Sequence, residues 1–167
     1  MLAPPVVVVT AVDAGGVMFV MLLAAIVGRV AYGKLCDKIG ATRSWLVASA
    51  LQTTGVLAFT QFGNMREFLL FSVVYGFAYA GVMTSLLVAV RALTPARNKA
   101  MWMGIVLSFA WLGHAFGGFQ GAFAYDLTSG YGAGFAAGAL AGASNLTLVG
   151  MLIWLTRPKA RAPRFAV

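Results

Sequence analysis

Charge is what this sequence has least of. Asp, Glu, Lys and Arg make up 10% of its 167 residues, against about 25% in an ordinary soluble domain. Only four are acidic, Asp13, Asp37, Glu67 and Asp126, and no two are close enough along the chain to form a working carboxylate pair. One histidine, His114, and one cysteine, Cys36, complete the list of reactive groups. A lone cysteine excludes an internal disulfide and a thiolate metal centre. Without paired carboxylates, metal-ligand clusters or an activated nucleophile, a hydrolytic site has nothing to be built from, so the chain is not read as an enzyme. There is no glycine-rich phosphate loop either, which excludes ATP-driven chemistry from this chain. No metal and no cofactor is expected.

What fills the space is apolar. Hydrophobic residues account for 61% of the chain, against roughly 45–50% in a soluble domain, so the sequence reads as an all-α integral membrane protein. Twelve Lys and Arg leave a net charge of +8, a balance that in a soluble domain would suggest nucleic acid. Here the cations fall in the gaps between apolar runs, with no basic stripe and no aromatic interleaving. They read as orientation signals and headgroup contacts, and nucleic acid is excluded as a partner.

The apolar runs predict five spans, at about 17–32, 44–62, 68–90, 101–124 and 132–155. Residues 1–12 are too short to span, since a bilayer needs about 20 helical residues. They lack the basic region of a secretory signal and are expected to be the end of a helix that begins earlier. Asp13-Ala14-Gly15-Gly16 reads as a loop. Lys34, Lys38 and Arg43 follow the first span, Arg66 the second, and Arg91, Arg97 and Lys99 the third. No cation follows the fourth span, and Arg157, Lys159, Arg161 and Arg164 follow the fifth. That alternation predicts an outside N-terminus and a cytoplasmic C-terminus in the plasma membrane, with Trp45, Trp102 and Trp154 at cytoplasmic ends. The basic tail, 157–167, is expected to lie on anionic headgroups.

The most polar run between two spans is Gly33-Lys34-Leu35-Cys36-Asp37-Lys38-Ile39-Gly40-Ala41-Thr42-Arg43. Its two glycines bracket Asp37 and predict a tight cytoplasmic turn between closely approaching helices. Glycines also recur every four residues in the spans, Gly113, Gly117 and Gly121 in the fourth and Gly134, Gly138 and Gly142 in the fifth. Lipid tails offer no hydrophobic drive for helix association, so such faces are expected to serve close packing or sliding.

This run, preceded by Gly28-Arg29 and followed by a basic residue at Arg43, resembles the signature cytoplasmic loop of the major facilitator superfamily, G-x-x-x-D-R/K-x-G-R/K-R/K. The sequence carries Ala41-Thr42 where that loop has its basic pair. Residues 112–131, from Leu112-Gly-His-Ala-Phe-Gly-Gly through Asp126 to Gly130-Tyr131, look like the eleventh helix and outer loop of the same superfamily. Leu93-Thr94-Pro95-Ala96-Arg97 looks like the cytoplasmic loop before it. An Arg following a Gly just ahead of the signature loop is similar to the monocarboxylate and oxalate/formate carriers. The resemblance implies five transmembrane helices corresponding to helices 8–12 of a twelve-helix carrier. It implies secondary transport of a small solute, an organic anion such as a monocarboxylate, by alternating access with protons or by exchange. It also implies a partner, the N-terminal half or another copy of the chain, because in this family the solute site lies between two halves.

Candidate solute contacts follow. Arg29 lies about one and a half turns from the cytoplasmic end of its span. A guanidinium at such depth costs about 2.5–3.5 kcal/mol on insertion scales, and its fork matches a carboxylate; the alternative is snorkelling to the interface. His114 sits near the middle of the fourth span and is placed to bind solute or carry a proton, or to hydrogen-bond a neighbouring helix. Tyr75 and Tyr79 share one helical face. With Gln120, Gln52 and Asn145 they are intramembrane polar groups that need partners. Gly33, Asp37, Lys38, Gly40 and Arg43 form the candidate gating loop, in which Asp37 caps a helix or pairs with an arginine. The Asn145-Leu146-Thr147 sequon lies inside a span and is set aside. The competing reading is a truncated, non-transporting interaction protein, a relic of a carrier.

Overall fold

The computed structural model describes residues 11–156. They form five helices: α1, Ala11–Ile39; α2, Ala41–Ala58; α3, Met65–Leu93; α4, Lys99–Thr128; and α5, Gly132–Leu155. Short 3-10 turns at Phe59–Gln61 and Ala96–Asn98 lead into the α2–α3 and α3–α4 connections. No strand occurs among the described residues. The expected N-terminal stub, up to residue 10, and the basic tail, 157–167, lie outside the described residues.

Two expected loops are helix instead. Residues 13–16 lie within α1, as do residues 33–39 of the polar run. The physical reason is helix propagation: α1 has 29 residues and rises about 44 Å, past both edges of a roughly 30 Å core, and each residue added to a formed helix gains a backbone hydrogen bond without a new nucleation cost. The break between α1 and α2 therefore contracts to Gly40 alone, with φ 89° and ψ 150°. Its N–H donates to the Cys36 carbonyl at 3.0 Å, and its own carbonyl accepts from Ser44 N at 3.1 Å and Ser44 Oγ at 3.0 Å. One residue closes one helix and opens the next.

Four stretches are long and apolar enough to cross a bilayer: Val12–Ile39, Met65–Leu93, Ala96–Thr128 and Gly132–Leu155. Helix α2, at 18 residues, rises about 27 Å, close to the roughly 30 Å hydrocarbon core. It carries Thr42, Arg43, Gln52, Thr53 and Thr54, which lower its hydropathy. Helix α3 starts on a reciprocal cap. The Asn64 side chain accepts from Glu67 N at 3.0 Å, and the Glu67 carboxylate accepts from Gly63 N at 3.1 Å, a variant of the capping box.

The interior is made of small residues. Ala25, Ala48, Ala78, Ala80, Ala89, Ser44, Ser49, Ser72 and Ser85 are buried, whereas Phe109, Trp111, Phe116 and Phe119 of α4 are exposed. This is the membrane arrangement, in which helices approach through small side chains and large apolar ones face lipid. Gly76 stands against the Met21 carbonyl, Gly28 against the Phe77 carbonyl and Ala80, and Gly81 against the Tyr32 ring. Cys36 Sγ reaches Ser85 Oγ at 3.5 Å. Numbers on α1 and α3 rise together, so the two helices run parallel, joined through the antiparallel α2. On the other flank, Asn145 meets Ser49, Gly142 meets Thr53 and Gly138 meets Val56, so α5 runs antiparallel to α2. At the α2–α3 turn, Phe59 packs with Phe68, Phe71, Tyr75 and Phe135, ring centroids 4.9–6.3 Å apart. Helix α4 contributes no buried residue and stands off the bundle, so a space opens between it and the other helices.

Candidate functional site

That space is a cavity of about 620 Å³, within the 300–1,000 Å³ typical of small-molecule sites. All five helices reach it. Met21 comes from α1, Trp45, Ser49, Gln52 and Thr53 from α2, and Tyr75, Tyr79 and Met83 from α3. Gly113, His114 and Gly117 come from α4, and Gly138, Gly142 and Asn145 from α5. No Asp, Glu, Lys or Arg is among its lining residues.

The cavity's polar groups are tied to one another across helices. His114 Nδ1 lies 2.7 Å from the Ala110 carbonyl, one turn back on α4. Its Nε2 lies 3.0 Å from the Tyr79 hydroxyl on α3. This bond is the polar link between α3 and α4, and the Trp111 ring packs beside the imidazole at 5.6 Å. Asn145 Nδ2 donates to Ser49 Oγ at 2.8 Å, joining α5 to α2. Gln52 of α2 and Tyr75 of α3 line the same cavity. The Trp45 indole N–H is buried with no partner. A donor in that state costs about 1–3 kcal/mol.

Of the candidates drawn from the sequence, His114, Tyr75 and Tyr79 line the cavity together. Arg29 is exposed on α1 and is not among the lining residues. Its neighbour Gly28 takes the α3 contact, and a one-residue step of about 100° turns Arg29 off that seam. Gln120 is half-buried on α4, also outside the cavity. In the candidate gating loop, Gly33 is half-buried and Asp37, Lys38, Gly40 and Arg43 are exposed at the α1–α2 junction. Asp37 makes no hydrogen bond or ion pair with the described residues. Among the glycine-stripe positions, a Cβ at Gly113, Gly117 or Gly121 would meet nothing within 4 Å, and at Gly138 only Val56 at 3.9 Å. At Gly134 it would sit 3.5 Å from Gly121, an ordinary contact, and at Gly142 it would collide with Thr53. Gly142 is therefore the close-packed member of the stripes, while Gly113 and Gly117 form open wall.

Trp45, Ser49, Gln52 and Asn145 belong to the cavity but not to the sequence-derived site. The signal for Gln52 and Asn145 was present, since an intramembrane polar side chain is a functional-site hypothesis by default. Trp45 was read as an interface ring, and its position in the wall follows only from the packing of the helices around the cavity.

Apolar helices of spanning length around a solute-sized, polar-dotted cavity define a multi-pass membrane protein of the transporter class. The family model of the Major Facilitator Superfamily matches residues 3–167. The chain belongs to that superfamily, whose members are membrane transporters. No curated protein and no solved structure matches the chain.

Proposed function

We propose that the chain is the C-terminal half of a secondary transporter that moves a small organic anion, of the monocarboxylate kind, across the plasma membrane by alternating access with protons. The carrying observation is the cavity, open to all five helices, free of fixed charge and holding one imidazole. A permanent cation at that depth would retain an anion in every step of a cycle. A histidine offers positive charge only while it carries a proton, so binding and release can follow protonation. The partner half, or a second copy of the chain, supplies the opposite wall. The clustering of Lys34, Lys38, Arg43, Arg91, Arg97 and Lys99 at the α1–α2 and α3–α4 connections supports a cytoplasmic position for that end. The exposed Asp37, Lys38, Gly40 and Arg43 then serve as the gate, with partners that change between inward and outward states.

The test is uptake of labelled lactate and formate into proteoliposomes containing the protein, with and without an acid-outside gradient. Saturable uptake stimulated by the gradient and reduced at least tenfold in His114→Ala is the expected result. Loss in Arg29→Ala with none in His114→Ala would move the solute to the α1 flank and overturn the reading. Absence of uptake from folded, inserted protein would mean that the missing half is required and that this chain alone is a carrier fragment.

A further inference from the structure

The two nitrogens of His114 are not equivalent, and the difference assigns a direction to every hydrogen bond around it. The Ala110 carbonyl can only accept, so Nδ1, 2.7 Å away, carries the proton of the neutral ring. Nε2 is then a bare lone pair. The Tyr79 hydroxyl, 3.0 Å from Nε2, has to donate to it. In this state the phenol's only donor is consumed by the imidazole and faces away from any solute.

Protonation reverses the bond. With a proton taken up from the aqueous side, Nε2–H becomes the donor and the Tyr79 oxygen the acceptor. The phenol hydrogen rotates off the ring, and Tyr79 lines the cavity, so its freed O–H points to whatever the cavity holds. The groups facing this pair leave the imidazolium without a counter-charge. Helix α3 supplies the tyrosines 75 and 79, α1 supplies Met21, α2 supplies Trp45, Ser49, Gln52 and Thr53, and α5 supplies Asn145. None of these is acidic, and α4 adds no other titratable group to the wall.

Resting on the solute site proposed above, we infer that Tyr79 is the residue that reads the protonation of His114 for the solute. A monoanion accepts the Tyr79 O–H only while the imidazole beyond it is charged, and loses both donor and charge when the proton leaves. Tyr79 thus makes binding of a single negative charge conditional on a single proton. An uncharged isostere of the same shape gains the freed O–H but not the charge, so its binding depends less on the proton.

The chain has one histidine, so labelling with ¹⁵N-histidine yields a single imidazole whose tautomer and titration are read directly by NMR in lipid nanodiscs. At alkaline pH the neutral ring is expected as the Nδ1–H form, the reverse of the tautomer free histidine prefers. Acetate should bind at pH 5.5 and move the imidazole signal, whereas acetamide should move it less. In Tyr79→Phe acetate affinity at pH 5.5 should fall on the order of tenfold or more, the loss of a charge-assisted hydrogen bond. A neutral Nε2–H ring, read on the unsubstituted protein, overturns the proposal whatever the folding of the variant. Acetate binding of undiminished strength and pH dependence in Tyr79→Phe overturns the role of Tyr79 and leaves the anion cavity standing. If acetate moves the imidazole signal at no pH, the anion cavity itself is refuted, and the Tyr79 role with it.

Discussion

The α1–α3 seam should be the most sensitive place in the protein to one added methyl group. A Cβ at Gly28 would sit 2.8 Å from the Phe77 carbonyl oxygen, 0.6 Å inside the 3.4 Å where ordinary contact begins. At Gly76 the overlap with the Met21 carbonyl is deeper. The obstacle in both cases is backbone, which cannot swing aside as a side chain would. Gly76→Ala must therefore part the helices by more than half an ångström, and a gap of about 0.5–1 Å forfeits a quarter to a half of the dispersion energy of each facing atom pair. With no hydrophobic drive between helices in lipid, that dispersion is most of what holds the seam. A loss of about 2–3 kcal/mol follows, at the upper end of overpacking costs, equivalent to a fall of roughly 4–12 °C in the thermal midpoint for a chain of this size. Gly113→Ala is the matched control, since its Cβ meets nothing within 4 Å, and a surface change of this kind stays within about 0.5 kcal/mol. Thermal unfolding of both variants in nanodiscs, followed by circular dichroism, compares them directly. Equal loss of stability in the two variants would refute the reasoning, because it would place the close approach on the glycine stripe of α4.

Three other outcomes follow from contacts described above. Asn145→Leu removes the 2.8 Å donor to buried Ser49 and should cost about 0.6 kcal/mol and up to about 1.7, the range of interhelical hydrogen bonds in membranes; a double-mutant cycle with Ser49→Ala should show the two changes to be non-additive. Gly40→Ala forces a Cβ into φ 89°, ψ 150°, a region reserved for glycine, and should destabilise by about 1–3 kcal/mol, measured as a lower denaturant midpoint. Asn64→Ala deletes the cap on α3 and should cost about 1 kcal/mol, with faster amide exchange confined to the first turn of that helix.

Much of the architecture was legible because bilayer thickness and backbone hydrogen bonding leave few options. The long apolar runs and the Gly40 break are local signals. Residues 13–16 and 33–39 misled, because glycine and charge there spell a loop while the helix propagates beyond the core at both ends of α1. His114, Tyr75 and Tyr79 were conspicuous as polar groups in apolar runs. That His114 and Tyr79 meet was not, since they are 35 residues apart, and nothing in either helix specifies the other's depth or rotation.

Composition and hydropathy therefore determined by themselves that this is a helical membrane protein, because hydrophobic length acts along the chain, and the carrier type entered through the resemblance of the signature run to a known family. Tertiary structure alone decided which glycines pack and which stand open, that Arg29 turns away from the cavity while Trp45 and Asn145 turn into it, and that His114 meets Tyr79. Each of those depends on a helix's rotation about its axis, set by contacts with helices remote in sequence, and a span that is apolar nearly all round carries no periodicity from which that rotation can be read.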